Sequence, residues 1–156
     1  MQLMRAFDDL LPNFEYTEIF QINFLSDSYT ELKGTYDLID LYCQHPTCAC
    51  HKVTILVYNS YNRVVATITY GWKPTSYYQR CGIHKMTAEA LTQGYLDPHG
   101  LQSEYSCILL RAFTQMLDQE PRFIKRIKKR YAIFKKAVAT NTKTLPDNII
   151  PIGQLS

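Results

Sequence analysis

The chain has 156 residues, 46% apolar and 20% charged, with a formal net charge of +3. These are values of a globular domain with enough chain for a real core, and they exclude a disordered or low-complexity protein. No apolar run reaches the length of a membrane helix. The opening Met1-Gln2-Leu3-Met4-Arg5-Ala6-Phe7-Asp8-Asp9 turns acidic at once instead of building a secretory leader, so a reducing cytoplasm is expected.

In chain order, residues 4 to 11 read as a short helix stopped by Pro12. Glu15 to Leu25 reads as a strand with Phe20, Ile22 and Phe24 on one face. Ser26-Asp27-Ser28 and Gly34 are turn chemistry, and Thr35 to Tyr42 is a second strand. Lys52 to Tyr58 and Arg63 to Tyr70 are rich in Val, Ile, Thr and Tyr. The polar stretch Asn59-Ser60-Tyr61-Asn62 divides them, which predicts a hairpin.

The pattern then changes. Thr75 to Arg80 reads as a helical turn or an irregular segment, Met86 to Gln93 as a weak helix, and 94–100 as a loop. Ser103 is placed to cap a helix over 104–118, with Glu104 in the first turn. Ile108, Leu109, Ala112, Phe113, Met116 and Leu117 form two files at helical spacing, best read as core. Pro121 at an N1 position opens a second helix over 121–139. Its apolar positions Phe123, Ile127, Tyr131, Phe134 and Val138 recur at steps of four, four, three and four. From Asn141 onward periodicity ends, which predicts one domain over 1–140 and an extended tail over 141–156. Strands followed by helices predict an α+β fold: an antiparallel sheet of about four strands, two or three helices packed on one face, and a metal-bound loop.

That loop is Tyr42-Cys43-Gln44-His45-Pro46-Thr47-Cys48-Ala49-Cys50-His51. Three of the five cysteines fall within eight residues here, between two predicted strands. Thiolates this dense are what a tetrahedral zinc site needs, and Pro46 suits the turn that would fold them round one ion. Plain buried thiols and a disulfide pair stay open as alternatives. The favoured ligand set is Cys43, Cys48 and Cys50 with a fourth from the distal Cys81-x-x-His84 pair, either Cys81 or His84. His45 and His51 are local candidates, and Cys107 stands apart.

Catalysis has little support. A catalytic zinc keeps an open position with a base nearby. The deaminase pattern needs a His-x-Glu and a two-residue cysteine gap, and neither is present. Three thiolates also make a poor Lewis acid. Cys81 and His84 as a nucleophile pair rest on adjacency alone, and there is no phosphate loop, dinucleotide fingerprint or nucleophile elbow. The enzyme class stays open, with a non-enzymatic role favoured.

The charge is uneven. Eight of the seventeen basic residues lie between Arg122 and Lys136, and outside that stretch nine basic residues face fourteen acidic ones. One helix is therefore cationic on a mildly acidic body. Lys125, Lys128, Lys129 and Arg130 are the residues expected to bind, toward either a protein partner or nucleic acid, and a solvated helix face is the plainer alternative.

Taken together, these residues resemble a family of uncharacterised bacterial proteins that share a Tyr-Cys-x-x-Pro-x-Cys-x-Cys motif. The matching positions are Tyr42, Cys43, Pro46, Cys48 and Cys50. They are followed by Tyr70-Gly71-Trp72, Leu96-Asp97-Pro98, Gln102-Ser103-Glu104 and the basic-aromatic stretch from Arg130 to Lys135. The resemblance spans about residues 36 to 138. Many members carry a C-terminal SEC-C motif, a small zinc-binding tail that these 156 residues do not contain. The resemblance implies a metal-binding cysteine set and no particular activity. Cys81 and His84 are not part of its pattern, so the fourth ligand stays open.

Overall fold

The computed structural model describes residues 4–12, 20–24 and 32–144. The sequence expectation of an α+β fold holds. Among the described residues six strands, β1 (Met4–Ala6), β2 (Phe20–Phe24), β3 (Gly34–Cys43), β4 (Lys52–Tyr58), β5 (Val64–Gly71) and β6 (Tyr95–Leu96), form one sheet in which every pairing is antiparallel. The order is β1-β3-β4-β5-β6, with β2 also on β3. β1 pairs with Leu41–Cys43 and β2 with Gly34–Leu38, so two short strands share the outer edge of β3 end to end.

The β4–β5 hairpin forms as expected. Asn59 organises its turn, its Oδ1 accepting from the backbone N–H groups of Tyr61 and Arg63, both at 3.0 Å. Alternation along the strands sends Val53, Ile55 and Val57 of β4 and Ala66, Ile68 and Tyr70 of β5 into one core. The register sets Tyr36, Leu38, Asp40 and Tyr42 on the same face, because Leu38 opposes Val57 and Asp40 opposes Ile55. A carboxylate therefore stands in an otherwise apolar and aromatic file.

Helix α4 (Ser106–Gln119) and helix α5 (Pro121–Thr144) close this core. Leu109 and Phe113 are buried from α4, with Ile108, Ala112, Met116 and Leu117 packed around them. Phe123, Ile127, Tyr131, Phe134 and Val138 of α5 are all buried, as their spacing requires. Helices α2 (Thr75–Arg80) and α3 (Lys85–Gln93) build a smaller cluster of Tyr78, Ala88 and Leu91 beside the end of β5. That packing uses the absence of a side chain at Gly71: a Cβ there would run into the Tyr78 phenol.

Several boundaries differ from expectation. Residues 4 to 11 are not one helix but strand β1 followed by the single turn α1 (Phe7–Leu10), because Met4–Ala6 pair with β3. Glu15 to Ile19 and Leu25, expected in the first long strand, lie outside the described residues. The loop over 94–100 contains the two-residue strand β6, held by Ile68 and Thr69. Helix α4 starts two residues later than expected, without Glu104. Ser103 does not cap it directly but builds the turn before it, its N–H donating to Ser106 Oγ at 2.8 Å and its Oγ accepting from the Tyr105 N–H at 3.2 Å. Helix α5 runs on to Thr144 where a tail was expected from 141, and 145–156 lie outside the described residues.

Beyond β6 the chain stays on the β5 edge. The Gln102 side-chain amide accepts from Thr67 N–H at 3.2 Å and donates to Thr67 O at 2.8 Å and Asp97 O at 3.0 Å. Ser103 N–H then donates to Val65 O at 3.0 Å. Among the described residues, no helix is long and apolar enough to cross a membrane.

Candidate metal centre

Cys43 is the last residue of β3, and Cys48 and Cys50 lie in the connection to β4. Their three sulfur atoms all fall within 4.8 Å of one another, so this group could hold a metal ion. A tetrahedral ion with metal–sulfur bonds of about 2.3 Å spaces its sulfurs about 3.8 Å apart, which this grouping accommodates. All five cysteines are free thiols, so a disulfide is not what holds the loop.

Local backbone chemistry gathers the sulfurs. Pro46 and Thr47 turn the chain, with Cys48 N–H donating to His45 O at 3.2 Å. His45 N–H donates to Cys43 Sγ at 3.4 Å, and the Lys52 N–H points at Cys50 in the same two-residue relation. Amide donors of this kind favour the thiolate, the form a metal needs. The Cys50 thiol donates to Cys43 and so holds the Cys43 thiol down, at about 5, with the His45 amide and the Lys135 ammonium adding to the effect. The same bond, together with burial, pushes Cys50 up. The loop ends at His51, whose φ of +47° is a left-handed conformation costly for a non-glycine residue.

Four long side chains from outside the loop hold it. Tyr131 of α5 accepts the His51 N–H at 3.1 Å, and its hydroxyl also lies against Cys50. Tyr78 of α2 donates to His51 O at 2.7 Å and accepts the Lys73 N–H at 3.1 Å. Tyr77 donates to Ala49 O, between two of the cysteines. Lys135 Nζ donates to Cys43 O at 3.1 Å and to His45 O. The strained peptide at His51 is thus pinned on both its polar atoms, one from each of two helices. Burial raises both phenols, Tyr78 to about 12 and Tyr131 further, so both stay protonated donors.

Sequence reasoning missed these four supports. Tyr131 was read as core stripe and Lys135 as part of a charge run. The available signal was the i+4 spacing of Tyr131 and Lys135, which puts both on one side of α5.

The remaining sequence candidates separate as follows. Cys81 follows the last turn of α2, exposed, and His84 caps α3, its Nδ1 accepting from Met86 N–H at 3.3 Å. Neither falls within the 4.8 Å sulfur group. His45 turns Nδ1 to the Thr47 hydroxyl at 3.1 Å. His51 packs its ring against Tyr131, Tyr77 and Trp72 at centroid distances of 5.0, 5.4 and 6.2 Å. Burial, then the charges of Lys73 and Lys135, keep it below the usual histidine range. Cys107 is exposed on α4.

The basic helix divides. Lys125, Lys128 and Lys129 are exposed. Arg126 lays its guanidinium 4.6 Å from the Phe20 ring. Arg130, expected on the binding surface, is instead buried. It pairs with Asp40 on the sheet and lies 3.5 Å from Asp8, and its guanidinium sits 3.7 Å over the Phe7 ring. A charge in mid-core is stable only when paired, and the carboxylate in the β3 file supplies that pair.

Comparison of this chain with protein-family models, with curated proteins and with solved structures finds no match.

Proposed function

We propose that this protein is a small cytoplasmic interaction module built on a structural zinc ion, with the exposed face of α5 as its contact surface. The observation that carries the reading is the convergence of three sulfurs within 4.8 Å on a loop whose peptides are pinned from two helices. Thiolates are soft ligands that suit zinc, and the Tyr-Cys-x-x-Pro-x-Cys-x-Cys resemblance supports the same three residues. Three thiolates outweigh the charge of one divalent ion, which damps its power as a Lewis acid and favours a structural over a catalytic role. A reducing compartment keeps those thiols available.

The partner reading rests on Lys125, Lys128 and Lys129, exposed cations on a helix whose other side is core. Arg130 does not belong to that surface. An acidic protein surface is the occupant favoured, because the charge is local while the net charge is only +3.

Two measurements test the reading. Metal analysis of protein purified without added zinc is expected to find about one zinc per chain, and reduced free thiols with no metal would remove the foundation. Affinity capture is then compared between the parent and the Lys125→Glu, Lys128→Glu, Lys129→Glu triple variant. A partner lost only with the variant, and retained after nuclease treatment, supports a protein contact. General affinity for DNA or RNA that weakens and flattens in salt dependence in the variant points to nucleic acid instead.

A further inference from the structure

The sequence offers four candidates for a fourth ligand: His45, His51, Cys81 and His84. Three of them are committed elsewhere. His45 bonds Thr47, His84 caps α3, and the His51 ring is packed among Trp72, Tyr77 and Tyr131. Cys81 stands in a different relation to the loop. It lies four residues after Tyr77, and its N–H still donates to Tyr77 O at 3.2 Å, so the two side chains share one side of the helical turn. The Tyr77 hydroxyl donates to Ala49 O, between Cys48 and Cys50, which sets the Cys81 side of α2 against the cysteine loop. Cys81 lies outside the three sulfurs that fall within 4.8 Å of one another, but on the helix whose Tyr77 is bonded into their loop. The next residue, Tyr78, fixes the same helix to His51 O at 2.7 Å.

We propose that Cys81 supplies the fourth sulfur, so that a single metal ion with four thiolate ligands ties α2 to the β3–β4 loop. The inference rests on the metal-centre reading above and deepens it. Coordination forms four metal–sulfur bonds, and the thiol protons leave to solvent. The excess negative charge of such a centre is met by Lys135, which bonds the Cys43 and His45 carbonyls, and by Lys73, whose ammonium lies 5.7 Å from the Tyr77 ring centre. The link also has a mechanical use. α2 and α3 bury only Tyr78, Ala88 and Leu91 in their own small cluster, and a bond from Cys81 to the metal fastens that unit to the sheet.

The test is cobalt(II) substitution of the full chain, because the visible absorption of tetrahedral cobalt reports how many sulfurs surround it. The parent protein is expected to give a four-sulfur spectrum. In Cys81→Ser the d–d bands should move to higher energy and the sulfur-to-metal charge-transfer band should lose one sulfur's share. His84→Ala and His51→Ala should keep the four-sulfur spectrum. Cys81 is exposed, so the serine variant is expected to fold, and far-ultraviolet circular dichroism verifies it. Hydrogen exchange gives a second readout: amides of α2 and α3 in the zinc-loaded protein should exchange faster in Cys81→Ser. A Cys81→Ser spectrum identical to the parent, or a change with His51→Ala in its place, overturns the assignment while leaving the three-cysteine centre standing. Failure of the parent to bind cobalt at all overturns both.

Discussion

Arg130 grips Asp40 through two hydrogen bonds, Nε to Oδ2 at 2.5 Å and Nη2 to Oδ1 at 2.9 Å, although the two residues are only 5% and 8% exposed. Tyr42 donates to the same carboxylate at 2.6 Å. Burial alone would lower the Arg130 guanidinium, but the bonds to and charge of Asp40 outweigh it and raise it. Removing one partner leaves the other charge stranded in the core. Arg130→Met is therefore expected to destabilise the fold by about 3–5 kcal/mol, and Asp40→Leu by a similar amount. The double variant should lose much less than the sum, because two apolar side chains satisfy each other. Chemical denaturation of the three variants checks this, and additive losses would show that the pair is not coupled.

Tyr131 sits between the core and the cysteine loop. Tyr131→Phe keeps the ring but leaves the His51 N–H without its acceptor, and it removes the hydroxyl beside Cys50. The expected cost is about 1–2 kcal/mol in stability. Zinc affinity should fall by about 10- to 100-fold, as for other outer-sphere partners of metal ligands. Competition with a chromophoric chelator measures the affinity. An unchanged value would reduce Tyr131 to a packing residue.

Gly71 makes room for the Tyr78 phenol, so Gly71→Ala forces the two apart. The overpacking is expected to cost about 1–3 kcal/mol. Displacing Tyr78 also releases His51 O, so the same substitution should weaken metal binding although residue 71 offers no ligand. Tyr78→Leu placed on top of Gly71→Ala should recover part of the stability but none of the hold on His51.

Metal removal gives a pH-dependent test. Protons and the metal compete for the same thiolates, so the stability the ion confers is greatest at high pH and is lost as pH falls through the thiol range. The melting temperature of the zinc-loaded protein is expected to drop with acidification and to approach that of chelator-treated protein. Coincident curves with and without chelator at every pH would show that the ion does not contribute to folding.

Much of this arrangement was legible from local pattern. The i+3 and i+4 spacing of Leu109, Phe113, Phe123, Ile127 and Phe134 marks two helices, because a helix must bury one stripe whatever it packs against. The Val, Ile and Thr runs around Asn59 mark the hairpin for the same reason, and cysteine density alone marks the loop that could hold a metal ion. What escaped depends on contacts far along the chain. Arg130 looks like one more surface charge until β3 places Asp40 opposite it, ninety residues away. The inward position of Asp40 between Leu38 and Tyr42 was the one local hint. β6 is two residues long and exists because the β5 edge pairs with it. Tyr78, which holds the His51 carbonyl, carries no local signature, since a phenol at a helix position looks the same whether its hydroxyl meets water or a peptide.

Gln102 stands beside Thr67 as a peptide group would, offering one acceptor and one donor to the same residue. A side chain thus continues the ladder where β6 has already ended, and the margin of the sheet is sealed by an amide that belongs to no strand. Open strand margins are templates for joining another chain. Gln102→Ala would bare the Thr67 N–H, while the Thr67 carbonyl keeps the Asp97 N–H at 2.9 Å. The consequence to look for is not a lower melting temperature but concentration-dependent self-association by sedimentation, which the parent chain should resist.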